Sequence, residues 1–318
     1  MKIYIYSLVL CVFFVSCGKK DKIEREINET SVTIKVERFD KIFFETAPEN
    51  LSEVKKQFPY FFPVGNDDQV WIDKMTNPQW RELYGEVEKK FNDLSPVTTD
   101  LTDLVKRMKY YFPETKTPKL VTVISEMDYT NKSIYADSLV IVSLELYLGK
   151  EHRFYQFPNY IKANFEPKQI MPDVVNSFAN GKIKPQKSKN FITKIVQEGK
   201  KLYLKDVLLP SYSDEDKMGY TAEQLKWCQE NESYMWRYFI ERELLYSDDA
   251  KLSSRFIEPA PFSKFYLEID NESPGRVGAW IGWQIVRSYM NSNESPLQQL
   301  LDMDAKELFE KSKYKPKK

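Results

Sequence analysis

The stretch SPGRVGAWIGWQIVRSYM at residues 273–290 decides how this chain folds. Only ten glycines occur in 318 residues, and Gly275, Gly278 and Gly282 are interleaved here with Trp280 and Trp283, two of six tryptophans. A glycine inside a helix costs about 1 kcal/mol relative to alanine, so local propensity does not assemble such a run. Either close backbone packing or a binding surface requires it. The spacing does not match the GxGxxG of a dinucleotide fold, and no β-branched strand runs into it. Gly278 and Gly282 do match GxxxG, but Gln284 and Arg287 interrupt the apolar run, which argues against a membrane helix. What remains is a helix with Pro274 near its start. Gly278, Ile281, Gly282, Ile285, Val286 and Tyr289 form one face, narrow at the glycines so that another backbone can approach. Trp280, Trp283 and Arg287 lie on the adjacent face, with Arg287 placed over the ring of Trp283. Packing is the favoured reading for the glycines. Pro274, Gly275, Arg276, Gly278, Trp280, Gly282 and Trp283 together form the candidate packing or partner-binding set, with Trp280, Trp283 and Arg276 the places to look for a partner.

Working outward, the composition narrows the function. Lys plus Arg and Asp plus Glu both number 47, a net charge of zero, which argues against a nucleic-acid surface. Apolar residues make up 42%, enough for a sizeable core, and scarce glycine with abundant Lys and Glu points to helix. A lone histidine, His152, cannot supply HExxH, a three-histidine site or the usual hydrolase triads, so no metal site and no cofactor is expected. An EF-hand loop beginning at Asp214 fails at Met218 and Leu225, which leaves an acidic turn.

The N-terminus reads as an export signal. Lys2 precedes an apolar run from Ile3 to Val15 that is too short to remain as a spanning helix, and small Ser16 leads into Cys17. Phe14-Val15-Ser16-Cys17 resembles a bacterial lipobox, which makes Cys17 the expected lipidation site and the bilayer a partner through its acyl chains. Residues 1–17 are then the signal peptide, 18–30 a charged, solvated tether, and 31–318 the globular domain. With Cys11 removed and Cys17 acylated, only Cys228 is left, so no internal disulfide is available.

Within the domain, Val32, Ile34 and Val36 alternate as a strand and Asp40 to Glu45 form a short helix. Asn77 caps a helix with Pro78 in its first turn, and a second begins at Asp100 and ends at Pro113. Leu120 to Ile124, the segment around Ile134-Tyr135, and Ser138 to Leu144 form a small sheet of mixed direction. Helices follow over Glu166 to Phe178 and Phe191 to Glu198, with Leu202 to Leu209 a helix or strand. The longest helical signal runs from Thr221 to Tyr246 and opens on a Thr221/Gln224 capping box. A lysine-rich tail from Lys311 is read as exposed. The fold class is α+β, predominantly helical, a single domain with a small mixed sheet.

Four segments carry a family resemblance: WRYFIERELLYSDD at 236–249, EPAPF at 258–262, the opening stretch, and KSKYKPKK at 311–318. Together they resemble the GldB gliding-motility lipoproteins. That resemblance implies an envelope-anchored accessory protein with protein partners in the gliding and type IX secretion apparatus, and it brings no enzymatic activity. The element order is also distantly similar to zincin-type metallopeptidases. The counterpart of their HExxH helix is placed around Asp173 to Phe178, where neither metal-ligating histidine is present; the implied fold is a degenerate peptidase kept for binding. The competing reading from another class is an envelope hydrolase acting on glycan or peptide through paired carboxylates.

Overall fold

The computed structural model describes residues 21–317. Cys17 and the signal peptide lie outside them. The tether reading changes at once, because residues 21–29 form a helix, α1. Ile23 and Ile27 stand four residues apart on one face, and Ile27 is buried. Glu24 receives two hydrogen bonds from the Arg107 guanidinium at 2.9 and 2.6 Å. The charge count of this stretch hid a short amphipathic helix.

The strand read from Val32 pairs only over β1 (Val36–Arg38), and α2 (Phe39–Glu45) follows without a break. Helix α3 (Pro78–Lys90) is capped by Asn77, whose side chain accepts from the Gln79 and Trp80 N–H groups. Helix α4 (Ser95–Tyr111) starts five residues earlier than read from Asp100, with Pro96 in its first turn and Val97 already buried. Strands β2 (Lys119–Val123), β3 (Ser133–Ala136) and β4 (Leu139–Ser143) complete a four-stranded sheet in the order β1-β2-β4-β3. β1, β2 and β4 are parallel and β3 is antiparallel to β4, with Leu120 opposite both Val36 and Val140. The small mixed sheet and the helical majority agree with the α+β reading.

After the sheet, α5 (Ile170–Lys182) packs on β3, where the Tyr135 N–H donates to Ser177 Oγ at 2.9 Å. Helix α6 (Phe191–Leu208) runs 18 residues without interruption. The sequence divides it at Gly199-Lys200-Lys201, which resembles a helix end; the glycine instead serves a neighbour. Ser213 caps α7 (Asp214–Met218), and Gly219 ends it in the left-handed conformation at φ 74°, so the acidic turn is a single helical turn. The long helical signal splits into α8 (Ala222–Glu230), with its capping box formed, and α9 (Glu232–Glu241). Asn231 makes the break, since its side-chain amide donates to the Trp227 carbonyl at 2.9 Å and ends α8. Helix α10 (Val277–Ser292) is the glycine-tryptophan segment, and α11 (Ala305–Ser312) closes the chain. The tail beyond is not wholly exposed. Tyr314 packs edge-on to Trp236 and donates to Glu232 at 2.7 Å.

Two apolar clusters result. One gathers the sheet with α2 to α5, and the other gathers α8 to α11. Helix α6 contributes to both, with Ile192, Ile195 and Val196 in the second and Leu204 and Leu208 in the first. Among the described residues no helix is long and apolar enough to cross a membrane.

Glu145, just past β4, is fully buried in the first cluster. Its Oε1 accepts from the Ser125 N–H at 2.9 Å and hydroxyl at 2.6 Å, while Oε2 has no partner. Burial pushes its carboxyl up to about 8, against the opposing pull of Ser125. The folded state therefore holds a proton that the unfolded chain releases near pH 4.5, and stability falls as pH rises from there to about 8, then levels. Glu145→Gln is expected to flatten that slope and to be more stable than wild type at pH 8 by about 2–4 kcal/mol. Urea titrations at pH 5 and pH 8 check it; equal slopes in both proteins would contradict it.

Candidate functional site

The site is built on the seam between α6 and α10. A Cβ placed on Gly282 would lie 1.7 Å from the Ile195 carbonyl oxygen, and one on Gly199 would lie 2.2 Å from the Gly282 carbonyl oxygen. The two backbones touch with no room for a methyl group. A Cβ added to Gly278 would lie 2.9 Å from Phe256 O, and one added to Gly275 would lie 2.2 Å from Ala260 O. Each glycine of the opening stretch is thus a close-approach position.

The tryptophans are in the core rather than on a surface. Trp280 is 3% exposed and Trp283 0%. The Trp283 ring carries the Arg287 guanidinium 3.7 Å from its centroid, and its indole N–H donates to Asp206 at 2.8 Å. Arg287 forms paired hydrogen bonds to Asp206, both at 2.7 Å, and to Asp214 at 2.7 and 2.8 Å. Hydrogen bonds from Arg287 hold the Asp214 carboxyl below its ordinary range. This network locks α7 onto α6 and α10.

Behind the lock lies an open cleft of about 420 Å³, floored by α5 and α6 and bordered by the α7 end, residues 257–260 and residues 275–276. The α7 end organises one wall. Carbonyls at a helix C-terminus lack intrahelical partners, and here four consecutive ones are each met by a side chain from elsewhere. Gln169 donates to Asp216 O at 3.1 Å, Lys205 to Lys217 O at 2.7 Å, Arg276 to Met218 O at 3.1 Å and Asn164 to Gly219 O at 3.1 Å. Cations suit that end of a helix. Arg276 reaches it from a left-handed backbone at φ 66°. Opposite, Asp173 pairs with Lys132 at 2.7 Å and accepts the Tyr147 hydroxyl at 2.8 Å. Glu198 pairs with Lys201 at 2.8 Å and lies 4.0 Å from Arg276. Burial lowers the Lys205 ammonium to about 7.

The candidate set therefore divides. Gly275 and Arg276 line the cleft. Pro274 is buried beside it, its carbonyl taken by Ser263. Gly278, Trp280, Gly282 and Trp283 belong to the packed seam and present no partner surface. The sequence reading missed Lys205, Lys132, Asp173 and Asn164 as a group. Only Lys205 left a signal: it falls among Leu202, Leu204 and Leu208, a charge in an apolar stripe. His152 sits 3.4 Å from Glu86 and away from the cleft. Among the described residues no three His, Cys, Asp or Glu side chains gather as a metal site, and Asp173 of the proposed zincin-like helix is engaged with Lys132 and Tyr147.

Of the residues that wall this cleft, 258–260 and 275–276 fall in the EPAPF and SPGR segments that carried the resemblance. Residues 20–316 match the family model described as "Gliding motility protein GldB". The chain belongs to the GldB family. Membership covers nearly the whole chain, and it supports a role in gliding motility and lipoprotein character at the cell envelope. Comparisons with curated proteins and with solved structures gave no match. The distant zincin-type likeness of this GldB-family chain therefore rests on element order alone.

Proposed function

We propose that the chain is a non-catalytic lipoprotein, anchored through acylated Cys17 and facing the periplasm, that serves the gliding and type IX secretion machinery as an accessory or assembly factor by binding a partner in the α5/α6 cleft. The observation that carries this reading is the family match over residues 20–316, joined to a cleft walled by the segments that carry the resemblance. The electrostatics support the absence of catalysis. A paired-carboxylate hydrolase needs one carboxyl kept protonated in an apolar setting and the other ionised. Asp173, Glu198 and Glu258 share the cleft, which is why the hydrolase is the second reading, but Asp173 and Glu198 each sit against a lysine at ion-pair distance.

Complementation of a strain lacking the chain tests this. Glu198→Gln is expected to restore colony spreading to within about twofold of wild type, whereas loss of one member of an acid/base pair costs about 10²–10⁴ in rate. Cys17→Ala is expected to release the protein from the membrane fraction and abolish spreading. A Glu198→Gln strain that cannot glide, with normal protein levels, would favour the hydrolase.

A further inference from the structure

The cations around the cleft are not equally answered. Lys132 has Asp173 at 2.7 Å, Lys217 has Asp206 at 3.1 Å, and Arg276 has Glu198 at 4.0 Å. Lys205 has no carboxylate within 4.0 Å among the described residues, and its Nζ donates to a single acceptor, Lys217 O. An ammonium has three N–H groups. Lys200, five residues earlier on the same helix, shows the structural alternative. It is equally buried, lies away from the cleft, and donates to two carbonyls, Leu301 O at 3.1 Å and Met303 O at 2.6 Å. Keeping a cation buried without a counter-charge is costly, and Lys205 borders the open cleft, where a ligand can supply one.

We propose that the cleft binds the free C-terminal carboxylate of an extended peptide, with the Lys205 ammonium as its anchor. The proposal rests on the reading of this protein as a non-catalytic binder. A single amine without its own carboxylate, about half protonated near neutral pH and driven to the charged form by an incoming anion, matches a monoanion. Asp173, Glu198 and Glu258 also line the cleft and would repel a phosphate dianion about twice as strongly as a carboxylate monoanion. A peptide fits better than an acidic sugar because one wall is the segment 257–260, fixed by Pro259 and Pro261 and outside any sheet. The Ile257 and Glu258 N–H groups are taken by Ser253 O and Pro259 has none, so this wall offers chiefly carbonyl acceptors to the N–H groups of an extended chain, and the side-chain amides of Asn176 and Gln224 add to them.

The test uses the full chain in detergent micelles and isothermal titration. The probes are a degenerate mixture of N-acetylated tripeptides with free C-termini, the same mixture amidated, inorganic phosphate and glucuronate. The acid mixture is expected to bind, and the amide mixture to bind at least about tenfold more weakly, or ~1.4 kcal/mol. Lys205→Met is expected to erase that difference. So is Ala163→Trp, a substitution at an exposed position on the cleft that blocks its mouth; it decides the matter if Lys205→Met fails to fold. Equal binding of acid and amide, no saturable binding of either, or phosphate or glucuronate binding as well as the acid mixture would overturn the proposal. Peptide cleavage would overturn the non-catalytic reading instead. Full gliding by Lys205→Met cells, where deletion of the chain stops gliding, would sink the carboxylate anchor and leave the accessory role standing.

Discussion

Gly282→Ala is expected to leave no stably folded protein. The added methyl carbon would sit 1.7 Å from the Ile195 carbonyl oxygen and 2.5 Å from its carbon. Both atoms are backbone of the neighbouring helix, so no side chain can rotate away. Overpacking in a core ordinarily costs about 1–3 kcal/mol when side chains yield. Here α6 and α10 must part along a seam that also fixes Gly199 and the α7 lock, and the expected loss exceeds about 4 kcal/mol. Gly199→Ala, 2.2 Å from Gly282 O, is expected to behave alike. Gly181→Ala is the control. It lies in α5 with nothing within 4 Å of an added Cβ, and it is expected to raise stability by about 0.5–1 kcal/mol. Urea denaturation of the three variants checks the set. A Gly282→Ala midpoint near that of wild type would mean that the two helices are not in backbone contact.

Arg287→Met is the second large effect. It leaves Asp206 with only the Trp283 indole and Lys217, and Asp214 with Lys217 at 4.0 Å. Removing one partner of a buried ion pair costs about 3–5 kcal/mol. Arg287 is a quarter exposed in its side chain, so the expected loss is near the lower end, about 3 kcal/mol. Arg287→Lys restores charge but neither the paired geometry nor the stacking on Trp283, and is expected to recover less than half. The pH dependence has a definite sign. Because Arg287 lowers the Asp214 carboxyl in the folded state, that contribution is present above the unfolded carboxylate range, near pH 4, and is lost as pH falls through the depressed folded value. Wild type should therefore lose stability in acid more steeply than Arg287→Met. Parallel acid limbs in the two proteins would contradict the lock.

The sequence made the seam legible because its signal is compositional. Glycines in a helix with tryptophans beside them need a reason, and the spacing of Arg287 from Trp283 already placed one over the other. The same reasoning failed at Gly199. A single glycine followed by two lysines has the appearance of a helix end, and only its partner, Gly282, 83 positions later, reveals it as the other half of the contact. Paired glycines on different helices leave no local trace. The break at Asn231 was hidden for the opposite reason, since the apolar period continues through it and the amide alone ends the helix. At α1, charged residues masked an Ile23/Ile27 pair. The cleft was the least legible feature. Asn164, Gln169, Lys205 and Arg276 come from separate segments of the chain, and what unites them is the C-terminal end of α7, a helix the sequence presented as an acidic turn. The family resemblance ran through segments 258–262 and 273–276 without showing that they pack against each other as one wall of a cavity.

The glycine-tryptophan helix is architecture, and on our proposal the protein acts through the cleft this helix helps to build. Colony spreading of a deletion strain complemented with full-length Ala163→Trp tests that most directly, with membrane-fraction immunoblots to establish normal amounts. The expected result is a folded, membrane-associated protein that fails to restore gliding. Wild-type spreading with the cleft mouth blocked would contradict it.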